Sequence, residues 1–178
     1  ERNAEGIVIS GVKAIVTGGP YMHELLVMPC RTMRKEDADF AVCCALPIDA
    51  KGLTIISRPA GRPGEAEAAF SAKYGQSVAV CHFDQVLVPW DQVFFAGESE
   101  YTEHLVTSYA NHHRHSCIGA RAGFGDLLIG AGALMTEANG LDMEAVPHLR
   151  DSMAELIKLV EGFFACGVAA SVYGVEDP

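Results

Sequence analysis

The chain has 178 residues, of which 49% are hydrophobic, so it can build at least one folded domain with a core. Its 13 lysines and arginines against 23 acidic residues give a net charge of −10, which makes nucleic acid and anionic membrane surfaces poor partners. The apolar stretches are predicted to be too short to cross a bilayer, and no signal peptide is expected. The strand-like pattern begins at once after Glu1, so we expect a piece of a longer polypeptide.

The first half of the chain has the pattern of a β domain. Short β-branched runs alternate with Pro, Gly and Asp, which is typical of strands and turns. The predicted strands are 7–10, 12–17, 25–28, 40–46, 53–57, 77–83 and 85–88. Residues 58–76 are predicted to be a loop with one helical turn. Many short strands favour a barrel or a sandwich.

The second half has helical patterning. Residues 103–139 contain no proline and end at Asn139-Gly140, a helix-stop signal. A second amphipathic helix is predicted after Pro147. Two long antiparallel helices cannot bury all their apolar surface alone, so further helices or other subunits are needed. The predicted fold class is therefore α+β, with a β-barrel or sandwich domain over 1–98 and the first helices of an antiparallel bundle over 99–178.

Six cysteines lie mostly inside apolar runs and show no CxxC spacing. This pattern predicts buried free thiols in a reducing compartment, and hence a cytoplasmic protein, rather than a disulfide framework. Cys43 and Cys44 are consecutive on a predicted strand, so one is expected to pack inward on each face.

Three histidines and a cysteine are concentrated in residues 112–117. On a helix, His113 and Cys117 are four residues apart and share a face. The two side chains could ligate a metal or act together on a substrate. Alternatively, one histidine caps or packs and the others are solvated. Two ligands on one face are too few for a closed zinc site, so a metal would need partners from elsewhere in the fold.

Two glycine-containing stretches invite a ligand interpretation. Small residues in 119–126 and 129–133 fall within the predicted helix and have no GK[ST] sequence, so they indicate close helix–helix or helix–ligand approach rather than a phosphate loop. In 15–19 a strand runs into a glycine turn. Its backbone amides and the Thr17 hydroxyl could bind the polar edge of a flat ligand, although an ordinary turn has the same sequence pattern.

Taken together, residues 6–33, 38–58 and 80–98 resemble the middle β domain of flavoproteins with the acyl-CoA dehydrogenase fold. The resemblance is closest to the 4-hydroxyphenylacetate 3-monooxygenases and 4-hydroxybutyryl-CoA dehydratase. Residues 111–135 resemble the dehydratase more than the aromatic hydroxylases. The resemblance implies an FAD-binding homo-oligomer, a homotetramer, whose flavin and substrate site lies between domains and is only partly contained in this sequence.

The resemblance also implies roles for individual residues. It assigns Thr17, Gly18 and Gly19 to FAD binding and His113 to catalysis. His113 would also be a metal ligand if a [4Fe–4S] cluster were retained. Cys117 is assigned as a second catalytic residue, and Arg121 as the substrate-binding residue.

Three positions depart from the dehydratase pattern. Ala120 stands where the dehydratase has a cluster cysteine, Cys117 where it has a tyrosine, and Val78 where it has a carboxylate. A paralogue that keeps flavin and lacks the cluster is therefore expected, with His113 as an acid/base or substrate-orienting group.

Three functions follow from these observations. The first is a flavoenzyme that dehydrates or isomerises a small acyl-CoA. The second is a monooxygenase that hydroxylates a phenolic acid with FADH2 supplied by a separate flavin reductase. The third is a non-catalytic paralogue that has kept the scaffold and the oligomer. None of the three requires nucleic acid or a membrane.

Overall fold

A computed structural model describes residues 1–60 and 69–175 of the chain. Two compact units are present, Glu1–Val106 and Thr107–Pro178. The strands are β1 (Gly6–Thr17), β2 (Glu24–Val27), β3 (Val42–Pro47), β4 (Leu53–Arg58), β5 (Val78–Pro89) and β6 (Val93–Ala96). The α-helices are α1 (Ala69–Tyr74), α2 (Tyr101–Ala138) and α3 (Pro147–Tyr173). Short 3-10 helices span Gly19–Tyr21, Lys35–Phe40 and Trp90–Gln92.

The first unit consists of two antiparallel sheets of three strands, ordered β1-β5-β4 and β2-β3-β6. In β5, Cys81 and Phe83 are buried whereas His82 between them is exposed, as expected for a strand with one face on a core. Both sheets contribute to one hydrophobic cluster: Ile7, Leu25, Cys44, Leu46, Cys81, Phe83, Val86, Val88 and Ala96. The predicted strand-rich first half is therefore confirmed.

Two predicted strand breaks, at Gly11 in β1 and at Asp84 in β5, lie at one irregularity of the β1–β5 pairing. β1 continues through Gly11, whose φ of +146° is readily adopted by glycine, and the pairing with β5 shifts register between Ile9 and Gly11. β5 likewise continues through Asp84, where the break was predicted, and the positive φ of +51° belongs to the next residue, Gln85. The sequence pattern correctly identified Gly11 and came within one residue of Gln85, but it wrongly ended both strands there.

Other boundaries also differ from the predictions. Phe40 belongs to a 3-10 helix rather than to a strand, and β6 was not predicted. β6 has only four residues, and its pairing with β3 is a long-range contact that local sequence does not indicate. One helical turn was predicted within 58–76, and α1 lies there; residues 61–68 are outside the described part of the chain.

All six cysteines are free, as predicted, but only three are buried. Cys43 and Cys44 are both buried in β3, which accords with one packing on each face, and Cys81 is buried in β5. Burial raises the pKa of each of these three thiols; for Cys44 burial, followed by the neighbouring Cys43, raises the pKa to about 11. The prediction of burial is wrong for Cys30 and Cys166, which are exposed.

The second unit contains an antiparallel pair of helices, with glycines at the points of closest approach. A Cβ on Gly125 would lie 2.7 Å from Val160 Cγ1, and one on Gly132 would lie 2.9 Å from Met153 Cε. The contacts recur every seven residues, and in each a glycine of one helix faces a larger side chain of the other: Ile118–Gly167, Gly125–Val160 and Gly132–Met153. The predicted close helix–helix approach is confirmed for Gly125 and Gly132, whereas a Cβ on Gly119, Gly123 or Gly130 would meet nothing within 4 Å. We call the three contacting pairs the glycine seam.

The remaining faces of the two helices are open. Of the described residues in this unit, only Ala122 and Gly125 are buried. The exposed apolar side chains include Phe124, Leu127, Leu128, Leu134, Met135, Ile157, Leu159, Phe163, Phe164, Val168 and Val172. As the amphipathic pattern predicted, two helices alone cannot bury this surface.

Both long helices meet the length and composition of a membrane-spanning helix, so the prediction that no apolar stretch is long enough is wrong on those criteria. The many small residues of α2 raise its hydropathy without adding large side chains. Two such helices are weak evidence for a membrane protein, because core helices of soluble proteins have the same length and composition. α2 carries charged side chains along its length, among them Arg114, Arg121 and Asp126. Because charges are costly inside a bilayer, these side chains favour a helix bundle over a membrane span.

Candidate functional site

The predicted flavin turn lies at the end of β1, in the first unit. Thr17 is the last residue of the strand and is exposed. Gly18 follows with φ +74°, a left-handed conformation that disfavours a side chain. Its N–H donates to the Ser77 carbonyl at 2.8 Å, and its own carbonyl accepts the Tyr21 N–H at 2.9 Å. These bonds hold the turn in one shape.

The next residue, Gly19, is buried, and a Cβ there would lie 3.2 Å from Val16 Cγ1. The Gly18 N–H and carbonyl are engaged in the turn and Gly19 is buried, so the exposed Thr17 hydroxyl is the accessible polar group of these three residues. A hydroxyl both donates and accepts hydrogen bonds, which suits the polar rim of a flat heterocycle. The structure thus brings the three predicted FAD-binding residues together in one turn.

Ile15, which the sequence interpretation missed as a site residue, stands beside this turn. It has φ +60°, a rare conformation for a β-branched residue, and 81% of its surface is exposed. It lies where the pairing of β1 with β5 shifts register between Lys13 and Val16. The bulge therefore projects an apolar side chain into solvent two residues before Thr17, and such outliers concentrate at functional sites.

The second set of candidate residues lies on α2, in the second unit. His113 and Cys117 are in contact: the Cys117 Sγ lies 3.5 Å from Nε2 and 3.9 Å from Nδ1 of the imidazole. Tyr109, one turn earlier, stacks its ring on the imidazole with centroids 5.5 Å apart and an interplanar angle of 6°. The predicted shared face of His113 and Cys117 is confirmed, and Tyr109 is an additional member.

The other two histidines of 112–117 have different surroundings. The His115 Nε2 lies 3.2 Å from Ser171 Oγ, a hydrogen bond between α2 and α3. His112 is exposed. Only His113 therefore combines a neighbouring thiol with a stacked ring.

Arg121 is exposed one turn beyond Cys117, so His113, Cys117 and Arg121 recur at four-residue intervals along α2. Ala120 is also exposed and offers only a methyl group. Val78, where the dehydratase pattern has a carboxylate, is half-buried and pairs with Thr17 in the sheet. Arg121, Ala120 and Val78 carry neither a carboxylate nor a thiol.

Within residues 1–60 and 69–175, no group of three or more His, Cys, Asp or Glu side chains could hold a metal ion. His113 and Cys117 alone do not fit a [4Fe–4S] cluster, which takes four ligands. Any further ligands would have to come from outside the described residues, so the cluster stays a prediction.

An open groove of about 840 Å³ lies elsewhere in the first unit, lined by β1, β2 and the Lys35–Phe40 helix. Two of its polar side chains are already engaged: Lys13 Nζ donates to the Met28 carbonyl at 2.9 Å, and Gln85 Nε2 donates to Ser10 Oγ at 2.8 Å. None of the predicted site residues lines this groove.

Comparison with known proteins agrees with this arrangement. The family model described as 4-hydroxyphenylacetate 3-hydroxylase N terminal matches residues 1–95, and its C-terminal counterpart matches 102–178. The chain is 34% identical to the 4-hydroxybutyryl-CoA dehydratase/vinylacetyl-CoA-Delta-isomerase of Clostridium aminobutyricum, over 98% of the chain and 36% of that protein. The chain thus spans about a third of the length of this relative.

Solved structures give the same picture. An oxygen-tolerant archaeal 4-hydroxybutyryl-CoA dehydratase from N. maritimus superposes with a TM-score of 0.81 at 36% identity, covering 96% of this chain and 35% of that one. The oxygenase component of a 4-hydroxyphenylacetate 3-monooxygenase, complexed with FAD and 4-hydroxyphenylacetate, gives 0.83 at 25% identity, covering 99% and 37%. A glutaryl-coenzyme A dehydrogenase gives 0.65 at 14% identity, which shows the fold alone. The predicted acyl-CoA dehydrogenase-like fold is confirmed.

Proposed function

Because the chain belongs to the 4-hydroxyphenylacetate 3-hydroxylase family, we propose that the full-length protein is an FAD-dependent enzyme that dehydrates or isomerises a small acyl-CoA. The observation that carries this proposal is the 34% identity to a dehydratase/isomerase over 98% of the chain. That match spans both units and includes the helix on which His113 lies.

The turn at Thr17–Gly19 is our proposed FAD contact. A solved relative is complexed with FAD, and this turn offers the exposed Thr17 hydroxyl beside two glycines that carry no obstructing side chain. The exposed Ile15 side chain supplies an apolar surface beside it. Bound FAD would supply reversible electron transfer at the substrate.

His113 is our proposed acid/base residue. In isomerisation of a 3-enoyl thioester to a 2-enoyl thioester, a proton leaves C2, where the thioester carbonyl makes the C–H acidic, and a proton is delivered to C4. Imidazole exchanges protons near neutral pH, so one such group can take the first proton and return it. The step is balanced, because one C–H bond breaks, one forms and no electrons are gained or lost.

Cys117 and Arg121 support this reaction in different ways. The Cys117 thiol is within hydrogen-bonding distance of His113 Nε2 and so restricts the ring. Arg121 is exposed one turn further along α2 and would bind an anionic part of the acyl-CoA.

The test is an assay of the full-length protein with vinylacetyl-CoA and 4-hydroxybutyryl-CoA. Conversion of either ester is expected for the wild type, together with a loss of about a hundredfold or more in kcat for His113→Gln, because the acid/base group is removed. His112→Gln is the matched control and keeps activity, since His112 neighbours His113 but lacks its contacts. Full activity of His113→Gln would refute the proposed role.

A second candidate is an FADH2-dependent aromatic hydroxylase supplied by a flavin reductase. It is favoured by the relative complexed with 4-hydroxyphenylacetate and by Ala120, which departs from the dehydratase pattern. Oxygen consumption and a hydroxylated product from reduced FAD and 4-hydroxyphenylacetate would support it. A protein that binds FAD but responds to neither substrate class would be a non-catalytic paralogue.

We also propose that the protein is a cytoplasmic homo-oligomer, with a homotetramer expected. Three buried free thiols suit a reducing compartment, and the open apolar faces of α2 and α3 need cover.

A further inference from the structure

The ring of Tyr109 covers one face of the His113 imidazole. The centroids are 5.5 Å apart and the ring planes differ by 6°. This separation lies within the range of offset-stacked aromatic pairs. The two residues are four apart on α2, so the helix itself brings the rings together.

A second contact with the His113 ring comes from the next turn of α2. The Cys117 Sγ is 3.5 Å from Nε2 and 3.9 Å from Nδ1, so the thiol lies at the edge of the ring that carries both nitrogens. Tyr109 thus contacts the face of the imidazole and Cys117 its edge. A contact on the face limits the tilt of the ring, and a contact at the edge limits its rotation.

We propose that Tyr109 is a positioning residue that holds the His113 imidazole in the orientation needed for proton transfer. The proposal rests on the proposed function, in which His113 is the acid/base residue. The aromatic ring carries the effect, because the Tyr109 hydroxyl makes no hydrogen bond with another described residue. Small displacements of a reacting group reduce rates strongly, so a loose imidazole would transfer protons more slowly.

The test compares full-length wild type with Tyr109→Leu, which removes the ring, and Tyr109→Phe, which keeps it. The first measurement is the rate at which diethyl pyrocarbonate modifies each histidine of the ligand-free protein. We expect His113 to be modified about threefold faster in Tyr109→Leu and at the wild-type rate in Tyr109→Phe, because only loss of the stacked ring lets the imidazole turn away from Cys117 and expose its nitrogens. His112 and His148 are internal controls, since general loosening would increase their modification too.

The second measurement is steady-state kinetics with the CoA ester that the wild type converts. We expect kcat to fall about tenfold in Tyr109→Leu with KM unchanged, and Tyr109→Phe to restore kcat, because Tyr109 acts on His113 and not on substrate binding. If the wild type converts neither ester, the proposed function fails, and the modification rates alone decide about Tyr109. Equal His113 modification in all three proteins, or a kcat for Tyr109→Leu equal to that of the wild type, would overturn the proposal.

Discussion

At the scale of single residues, the cysteines of the core and the cysteine on α2 differ in what surrounds the thiol. Cys44 is fully buried in the core between the sheets, whereas Cys117 is only half-buried and lies beside His113. Burial disfavours the thiolate, so Cys44 is held as a neutral thiol. The core cysteines are therefore structural, and Cys117 is the cysteine whose neighbours suit chemistry.

The raised pKa of Cys44 predicts a loss of stability at high pH. The pKa of this thiol is 9.0 in the unfolded chain and about 11 in the folded protein. Its contribution to the unfolding free energy is therefore complete below pH 9.0, falls as pH rises above that value, and is lost as pH passes the folded pKa. Because the thiol ionises first in the unfolded chain, we expect it to lower the unfolding free energy of the wild type by about 2 kcal/mol as pH rises from 8 to 10.5.

The measurement is urea unfolding of the full-length protein at both pH values, for wild type and Cys44→Ala. The alanine variant is less stable at pH 8 because of the cavity, but its stability should decline less at pH 10.5. Parallel declines in the two proteins would contradict the assignment.

At the scale of elements, Thr102 fixes the start of α2. Its side chain is fully buried, and the hydroxyl donates to the Ser99 carbonyl at 2.6 Å and accepts the Met33 N–H at 2.9 Å. The hydroxyl thus joins the first turn of α2 to the segment before the Lys35–Phe40 helix.

Thr102→Val should therefore lower stability by about 1–3 kcal/mol, because it leaves the partly buried Met33 N–H without its acceptor. Thr102→Ser keeps the hydroxyl and loses only a methyl group, with an expected cost of about 1 kcal/mol. Chemical denaturation of the full-length variants gives the order. A valine variant more stable than the serine variant would show that the hydroxyl does not fix this junction.

The glycine seam makes a second prediction at this scale. Alanine at position 125 would meet the rigid, branched Val160, whereas alanine at 132 would meet only the flexible tip of Met153. Gly125→Ala should cost about 1–3 kcal/mol, because the helices must separate. Gly132→Ala should be neutral or stabilising by up to about 1 kcal/mol, because alanine favours the helix. Equal thermal midpoints for the two variants would argue against direct contact at Gly125.

The elements also show what sequence patterning can and cannot predict. The long helices and most strands follow from apolar periodicity, and the contact between His113 and Cys117 follows from their spacing on a helix. β6 was missed because its pairing with β3 is non-local. Ile15 was missed because a left-handed φ in a β-branched residue arises from a bulge and not from its own preference.

At the scale of the whole molecule, the chain corresponds to one part of the larger fold of its relatives. Its two units match relatives along almost the entire chain, yet they span only about a third of those relatives. The outer faces of α2 and α3 carry many exposed apolar side chains. These apolar faces suit contact with further helices of the same fold. Helices with such faces also meet the length and hydropathy criteria for a membrane span.

Those open faces predict an oligomer for the full-length protein. Light scattering coupled to size exclusion should give a mass that is a multiple of the subunit mass, with four subunits expected, because large apolar surfaces are normally covered. Phe164→Glu on the exposed face of α3 should shift the distribution towards smaller species, whereas Lys158→Glu, at an exposed polar position of the same helix, should not. A monomer in the wild type would mean that the chain itself covers these faces.

The visible absorption spectrum of the full-length protein shows whether it binds FAD and whether the bound flavin responds to an acyl-CoA. We expect flavin bands in the purified protein, or after addition of FAD, and a perturbation of these bands when vinylacetyl-CoA is added. 4-Hydroxyphenylacetate should leave the bands unchanged. Absence of flavin binding, or bands that respond to 4-hydroxyphenylacetate and not to the CoA ester, would rule out the proposed FAD-dependent reaction on an acyl-CoA.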